Sequence, residues 1–353
     1  MNKTTTIAVA IVVAAVVIAG GIVGFGTITS GKSSGSNNTN YLSKTSFSVA
    51  DFGIDHPDAG AYGWMAGTSH TNTSNTLQKY DPNIKVVDLK GGSGAVASAI
   101  AAGTVQMGML SADGALHAIN SSVPIKIVGV YRTSPIGDFV YVSPSSTYNK
   151  LSDLSGKNVT FANSKPGSLD VLLNGIIAAD YKVNITHDYV GSHEAQQAAV
   201  LNGKATASTG AYFDVYKLVK SGYLKSIGNI TENWPAFVVV ANTSFIHNHP
   251  NAVKAALMGM EYGNYLFDQN AGNFAYNFLK SYYNFSASET QFFMSTMHYS
   301  TNGTIYLKSL NEELTTLQAD NIISPNLKLS QLYTDQFSQV VNTTYPPGII
   351  RAA

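Results

Sequence analysis

The chain has 353 residues, more than one small core needs, and 44% of them are apolar, so two lobes are expected. Its 21 basic and 21 acidic residues cancel, and no Lys/Arg run offers a footprint for nucleic acid. Charged residues make up only 12%, about half the usual share, and the lack of cysteine excludes disulfides, thiolate metal sites, cysteine nucleophiles and a lipidated cysteine.

In chain order, the first element is the uncharged run Ile7–Ile28, "IAVAIVVAAVVIAGGIVGFGTI". As a helix it would reach roughly 33 Å, the thickness of a bilayer core. Lys3 precedes it, which predicts a cytoplasmic head (1–6), a single-pass anchor (7–28) and an extracellular remainder. A signal peptide cut near "IAGG" (18–21) is the alternative. A flexible Gly/Ser/Asn-rich tether follows over 29–44. An exterior location agrees with a modest excess of Asn-x-Ser/Thr sites. Beyond Asn2 these are Asn37, Asn72, Asn120, Asn158, Asn184, Asn229, Asn242, Asn284, Asn302 and Asn342. Sparse charge also suits an acidic exterior, where carboxylates lose their charge.

Alternating strands and helices then predict a parallel sheet built of βαβ units. Strands are expected at 45–53, 84–89, 105–110 and 125–133, with helices at 95–103 and 112–120 between them. The pattern repeats with strands at 138–144, 158–163, 187–192 and 205–210 and helices at 168–181 and 193–203. A long apolar strand returns at 236–246, followed by helices at 251–268, 273–284, 288–297 and 305–320. The chain is therefore expected to leave lobe 1 near Pro135 and return near Trp234-Pro235. Lobe 1 comprises 45–134 plus 235–340, lobe 2 comprises 135–234, and 341–353 is a tail.

"GGSGAVA" (91–97) has the dinucleotide spacing G-x-G-x-x-A, and Asp113 lies where a ribose-binding carboxylate would fall. Its helix, however, runs barely two turns before Gly103, short for a dinucleotide-binding crossover. A glycine turn that exposes N–H groups at a helix start accounts for the same residues.

Several segments in order resemble one family. "GGSGAVASAIAAGTVQMGML" (91–110) is similar to its Gly-Ser turn, helix and buried strand. "LSDLSGKNVTFANSKPGSLDVLL" (151–173), "EAQQAAVLNGKATAS" (194–208) and "SFIHNHPNAVKAAL" (244–257) follow in the family's order. The family is that of ABC-importer substrate-binding proteins for nitrate, sulfonate, taurine and thiamine precursors. "DHPDAGAYGW" (55–64) resembles the first-lobe loop of the thiamine-precursor binders, with Asp58 where they have histidine. The resemblance implies an α/β, two-lobed type II periplasmic-binding-protein fold over about 45–335. It also implies a small polar or anionic solute as ligand, an ABC permease and ATPase as partners, no cofactor, no catalysis and no nucleic acid. The alternative is a surface structural or adhesive glycoprotein that reuses the fold. Some relatives of the thiamine-precursor type make the pyrimidine themselves through a cysteine-rich motif, which this chain lacks.

In such folds ligands bind beyond the carboxyl ends of the strands. The candidates there are Ser93-Gly94, Ser111, Gly167-Ser168 and Ser192-His193, whose N–H and hydroxyl groups would hold an anion. Each serine taken alone reads more readily as a helix cap, and it is the convergence of several on one cleft that points to a ligand. Arg132, one of two arginines, either pairs an anionic group or sits at the lobe edge. Asp55, His56 and Asp58 would take an amine or a pyrimidine edge, or merely form turns. Tyr62 and Tyr212 would stack on a flat ligand, or pack in the core with the other tyrosines. "HEAQQ" (193–197) lacks the second histidine of a zinc-protease motif, and "HNH" (247–249) reads as a loop before the Pro250 helix start.

Overall fold

The computed structural model describes residues 41–51, 57, 76–134, 137–231, 234–270 and 273–345. The apolar run 7–28, most of the tether, Asp55, His56, Asp58, Tyr62, Asn37 and Asn72 lie outside the described residues. Among those described, no helix is long and apolar enough to cross a membrane. The last residues of the expected tether are docked, with the Leu42 and Ser43 N–H groups both donating to the Tyr80 carbonyl.

The first sheet starts with β1 (Phe47–Asp51), β2 (Ile84–Asp88), α1 (Gly92–Ala101), β3 (Met107–Ser111), α2 (Ala112–Asn120) and β4 (Ile125–Arg132). The second holds β5 (Gly137–Val142), β6 (Asn158–Asn163), α3 (Leu169–Tyr181), β7 (Asn184–Tyr189), α4 (His193–Leu201), β8 (Ala207–Ala211), α5 (Tyr212–Lys220) and β9 (Lys225–Thr231). Then β10 (Phe237–Asn242) returns to the first sheet, and α6 (Thr243–Asn248), α7 (Pro250–Asp268), α8 (Phe274–Tyr282) and α9 (Ala287–Thr296) follow. The two-residue strands β11 (Ile305–Tyr306) and β12 (Val340–Val341) flank α10 (Leu307–Ala319).

Strand order is β2-β1-β3-β10-β4 in one sheet and β7-β6-β8-β5-β9 in the other. The two sheets share one plan. Four strands run in one direction, and the single antiparallel member of each, β5 or β10, is the first strand laid down after the chain crosses between lobes. The inner strands β3 and β8 are buried along their whole length, as strands covered on both faces must be. The crossings lie together, with the Ala236 N–H donating to the Ser134 carbonyl at 3.3 Å. A loop from the helical tail clasps the first crossing. Thr133 and Ser134 donate their N–H groups to the His298 carbonyl, and the His298 N–H donates to Ser134 Oγ.

The expected strand at 138–144 ends at Val142, and that at 205–210 starts at Ala207. The sequence reading assigned no element to 212–231, where α5 and β9 stand. α5 matters because it joins the lobes. Phe213 from its first turn is buried in the first lobe's core, with its ring 4.7 Å from that of Phe293 and 5.8 Å from that of Phe285. Lys217 on the next turn donates to the Asn284 carbonyl at 2.6 Å.

Of the described glycosylation candidates, Asn158, Asn184, Asn229, Asn284, Asn302 and Asn342 are exposed. Asn120 and Asn242 are half-buried, and their Oδ1 atoms accept backbone N–H groups from Ser324 and from Ser244 and Phe245. Asn184 Nδ2 donates to Asn158 Oδ1 at 2.8 Å.

Candidate functional site

A cavity of about 480 Å³ lies between the lobes. Lobe 1 contributes Lys90, Gly91, Gly92, Ser93 and Phe237, and the remaining wall comes from residues 138–214. Four helices begin on it, α1, α3, α4 and α5, because each follows a strand whose carboxyl end points into the cleft.

These four starts are not equivalent. α3 carries Asp170 in its first turn, α4 carries Glu194 and α5 carries Asp214. A carboxylate there answers the helix dipole from within the chain. Only α1 has neither an acidic residue in its first turn nor a side-chain cap of its own. Together with Asp138, four carboxyl groups among the described residues line the cavity, against Lys90 and His193 as the basic side chains. His193 Nδ1 lies 3.7 Å from Asp214 Oδ2.

Asp170 is the structural hub. Its Oδ2 accepts the Ser164 N–H at 2.6 Å, Asn163 Nδ2 at 3.3 Å and Gln196 Nε2 at 3.3 Å, which ties the end of β6 to α3 and α4. Burial pushes its pKa upward, and the bonds from Ser164 and Asn163 oppose that rise. Asp170→Ala strands these buried donors. It is expected to cost about 3 kcal/mol, read as a lower urea midpoint at unchanged m-value.

Of the residues expected at the site, Ser93, Ser168 and Ser192 line the cavity. Ser192 Oγ caps α4 by accepting the Ala195 N–H, and Ser168 reaches across to lobe 1. Ser111 lies beneath the wall, fully buried; its N–H donates to Ser93 Oγ at 2.8 Å and its own Oγ accepts the Gly114 N–H. Gly94 and Gly167 are not in the lining; both face protein across the interlobe contact. Arg132 is 1% exposed, donates Nε to the Ser134 carbonyl at 3.2 Å and places its guanidinium 4.9 Å from the ring centre of the lining residue Phe237. It thus sits under the floor, at the crossing. Tyr212 is not in the lining either; its ring stacks on Phe139 and Tyr216 at 5.2 and 5.1 Å.

Sequence reasoning passed over Lys90, Asp138, Asp170, Glu194, Asp214 and Phe237. Glu194 belongs to the "HEAQQ" segment, tested only for metal binding. Asp170 and Asp214 look like ordinary first-turn carboxylates until the fold brings their helices together. The usable signal was three acidic helix starts in one lobe.

The comparisons with known proteins agree with this architecture. A family model described as ABC transporter, phosphonate, periplasmic substrate-binding protein matches residues 87–275. Among solved structures, a Candida albicans gene product with the generic periplasmic binding protein fold superposes with a TM-score of 0.69 at 14% identity, covering 86% of this chain and 98% of its own. The alkanesulfonate-binding protein SsuA of Xanthomonas axonopodis pv. citri, bound to MOPS, gives 0.63 at 13% identity, with 82% and 99% covered. The nitrate-binding protein NrtA of Synechocystis gives 0.62 at 11% identity, with 83% and 87% covered. No curated protein matches the chain in sequence.

Proposed function

We propose that this chain, which belongs to the phosphonate periplasmic substrate-binding protein family of ABC transporters, captures a small solute carrying both an amine and an acid group. Capture takes place in the interlobe cavity, and the closed complex is handed to a membrane permease and its ATPase. The observation that carries the amine is the lining itself: among the described residues, four carboxyl groups stand against one lysine and one histidine. A bare anion such as nitrate would enter a cavity whose helix starts are already matched by Asp170, Glu194 and Asp214. An ammonium group is favoured by the same carboxylates. Lys90 and the backbone near α1 favour an acid group at the lobe 1 end. An amino-sulfonate or amino-phosphonate fits both, whereas the structural relatives are named for alkanesulfonate and nitrate.

Ligand shifts the balance between open and closed forms only through its tighter binding to the closed one. On this reading the apolar run 7–28 anchors the receptor to the membrane and the lobes lie outside, with glycans on exposed sites such as Asn229 and Asn342.

The test is calorimetric titration of residues 41–353 with taurine, 2-aminoethylphosphonate, ethanesulfonate, ethylphosphonate and nitrate. The amine-bearing pair should bind at least about tenfold tighter than their amine-free counterparts, a difference of about 1.4 kcal/mol. Equal or tighter binding of the amine-free compounds would overturn the amine assignment. Silence across the panel, with self-association in sedimentation, would favour the adhesive-glycoprotein alternative.

A further inference from the structure

We propose that Ser168 is a built-in latch that holds the lobes closed on the α1 N-terminus before any solute arrives. The latch is a positioning device and does not depend on which solute binds. Its parts are few. Ser168 Oγ, from the start of α3 in lobe 2, accepts the Gly94 N–H at 3.3 Å and donates to the Gly91 carbonyl at 3.1 Å. One hydroxyl thus satisfies both a donor and an acceptor at the turn where α1 begins, and α1 has no side-chain cap of its own. In effect lobe 2 supplies the missing cap, a role a side chain in the same helix would ordinarily fill.

The contact is cut to a close fit on both sides. A methyl group on Gly94 would overlap the Pro166 carbonyl oxygen, across the lobe boundary. One on Gly167, which holds a left-handed φ of 78°, would lie 2.9 Å from His117 Cδ2 on α2. Gly94 itself is helical, so no backbone strain calls for glycine there; the close approach of the other lobe does.

Two consequences separate this from ordinary ligand-driven closure. The α1 amide at Gly94 is already taken, so closure needs no solute oxygen on it. Disturbing the latch also lowers the closed fraction for every solute alike, since apparent affinity scales with the population of the competent form.

Gly94→Ala is the decisive variant. Alanine favours a helix over glycine, and the clash exists only when the lobes meet, so the variant should fold and stay open. Ser168→Ala removes both hydrogen bonds without adding volume. The chain has no cysteine, so single-molecule energy transfer between dyes on Ala101→Cys in α1 and Ala179→Cys in α3, both exposed, has no background. Wild-type protein without solute should populate mainly the short interlobe distance. Gly94→Ala should move it to the long distance, Ser168→Ala should move it part of the way, and the double variant should match Gly94→Ala. Affinities for all binding solutes should fall by one common factor, about tenfold if the closed fraction drops from roughly nine-tenths to one-tenth. A long distance in solute-free wild type, or an unchanged distance in Gly94→Ala with a normal circular dichroism spectrum, overturns the latch. Neither result touches the amine assignment, which rests on the relative affinities of the panel.

Discussion

Phe213→Ala is expected to cost about 3–5 kcal/mol, the usual range for emptying a buried aromatic site. Phe213 belongs to α5 of lobe 2, yet its neighbours are the lobe 1 rings Phe285, Phe292 and Phe293 at 5.8, 5.8 and 4.7 Å. The cavity left behind would be lined by rings held on α9 and on the connection before it, with little freedom to collapse. Lys217 adds its bond to the Asn284 carbonyl and stands 3.9 Å from Glu289. The second of these is a partly exposed pair worth little by itself. Two outcomes are read. The urea midpoint should fall, and the interlobe distance distribution should broaden, because the ring is a pin between the lobes. A midpoint loss with no broadening would mean that Phe213 serves only the core. Phe213→Leu should recover most of the midpoint, since it refills volume.

The second large effect is on pH. Burial raises the carboxyl groups of Asp113, Glu261 and Asp268 each to about 7. For Asp113 the nearby Asp170 charge adds to the rise, and bonds from Ser111 and Gly114 oppose it. A carboxyl held above its ordinary value binds a proton more tightly in the folded than in the unfolded chain. Between about pH 4 and 7 the native state therefore carries more protons, and stability falls as pH rises. Above about 7 the cost is complete and the curve flattens. His117 and His187 act in the opposite sense, because burial lowers both and their protonation destabilises the fold below about pH 6.5. Asp153 and Glu289, held low by hydrogen bonds from Asn149 and Ser286, withdraw their support below about pH 4. Three carboxyls outweigh two histidines, so the optimum should fall near pH 5. With about 1.4 kcal/mol per pKa unit, the melting temperature at pH 5 should exceed that at pH 8 by on the order of 10 °C. Scanning calorimetry from pH 4 to 9 reads this directly. A profile that is flat or rising between pH 5 and 8 would falsify the assignment, and Asp113→Asn should remove part of the slope. Such an optimum would agree with the sparse charge of the chain and an acidic exterior.

Much of the architecture is legible in the sequence because local patterns suffice for it. The apolar runs around 84–89, 105–110 and 125–133 become β2, β3 and β4, since each is a short continuous stretch bounded by turn residues. The run at 236–246 is different: only its first half is strand, and Asn242 caps α6 within it. α5 and β9 escape notice because "YFDVYKLVK" and "KSIGNIT" carry mixed polarity and no strong start signal. The missing signal lies in the other lobe, where Phe213 finds its partners.

The site divides along the same line. Glycine turns and serines at helix starts are visible in sequence, and Ser93, Ser168 and Ser192 do reach the cavity wall. What a hydroxyl faces is decided by long-range packing. Ser111 turns into the interior and bonds Ser93, while Ser168 bonds the opposite lobe. The carboxylates Asp138, Asp170, Glu194 and Asp214 are spread over 76 positions of sequence, and only the β7-β6-β8-β5-β9 order gathers them.

The placement of β10 has a consequence for biogenesis. Residues 237–242 fill the slot between β3 and β4, which end at 111 and 132. Until they emerge, the first sheet is split in two, with apolar strand edges open. The second sheet needs nothing beyond residue 231. During synthesis or export, which proceed from the N-terminus, lobe 2 therefore matures as a unit while the earlier-made lobe 1 waits. A stalled chain ending near residue 232 should present a protease-resistant lobe 2 beside an unprotected lobe 1. The vulnerable interval for aggregation closes only when the last-arriving inner strand is inserted.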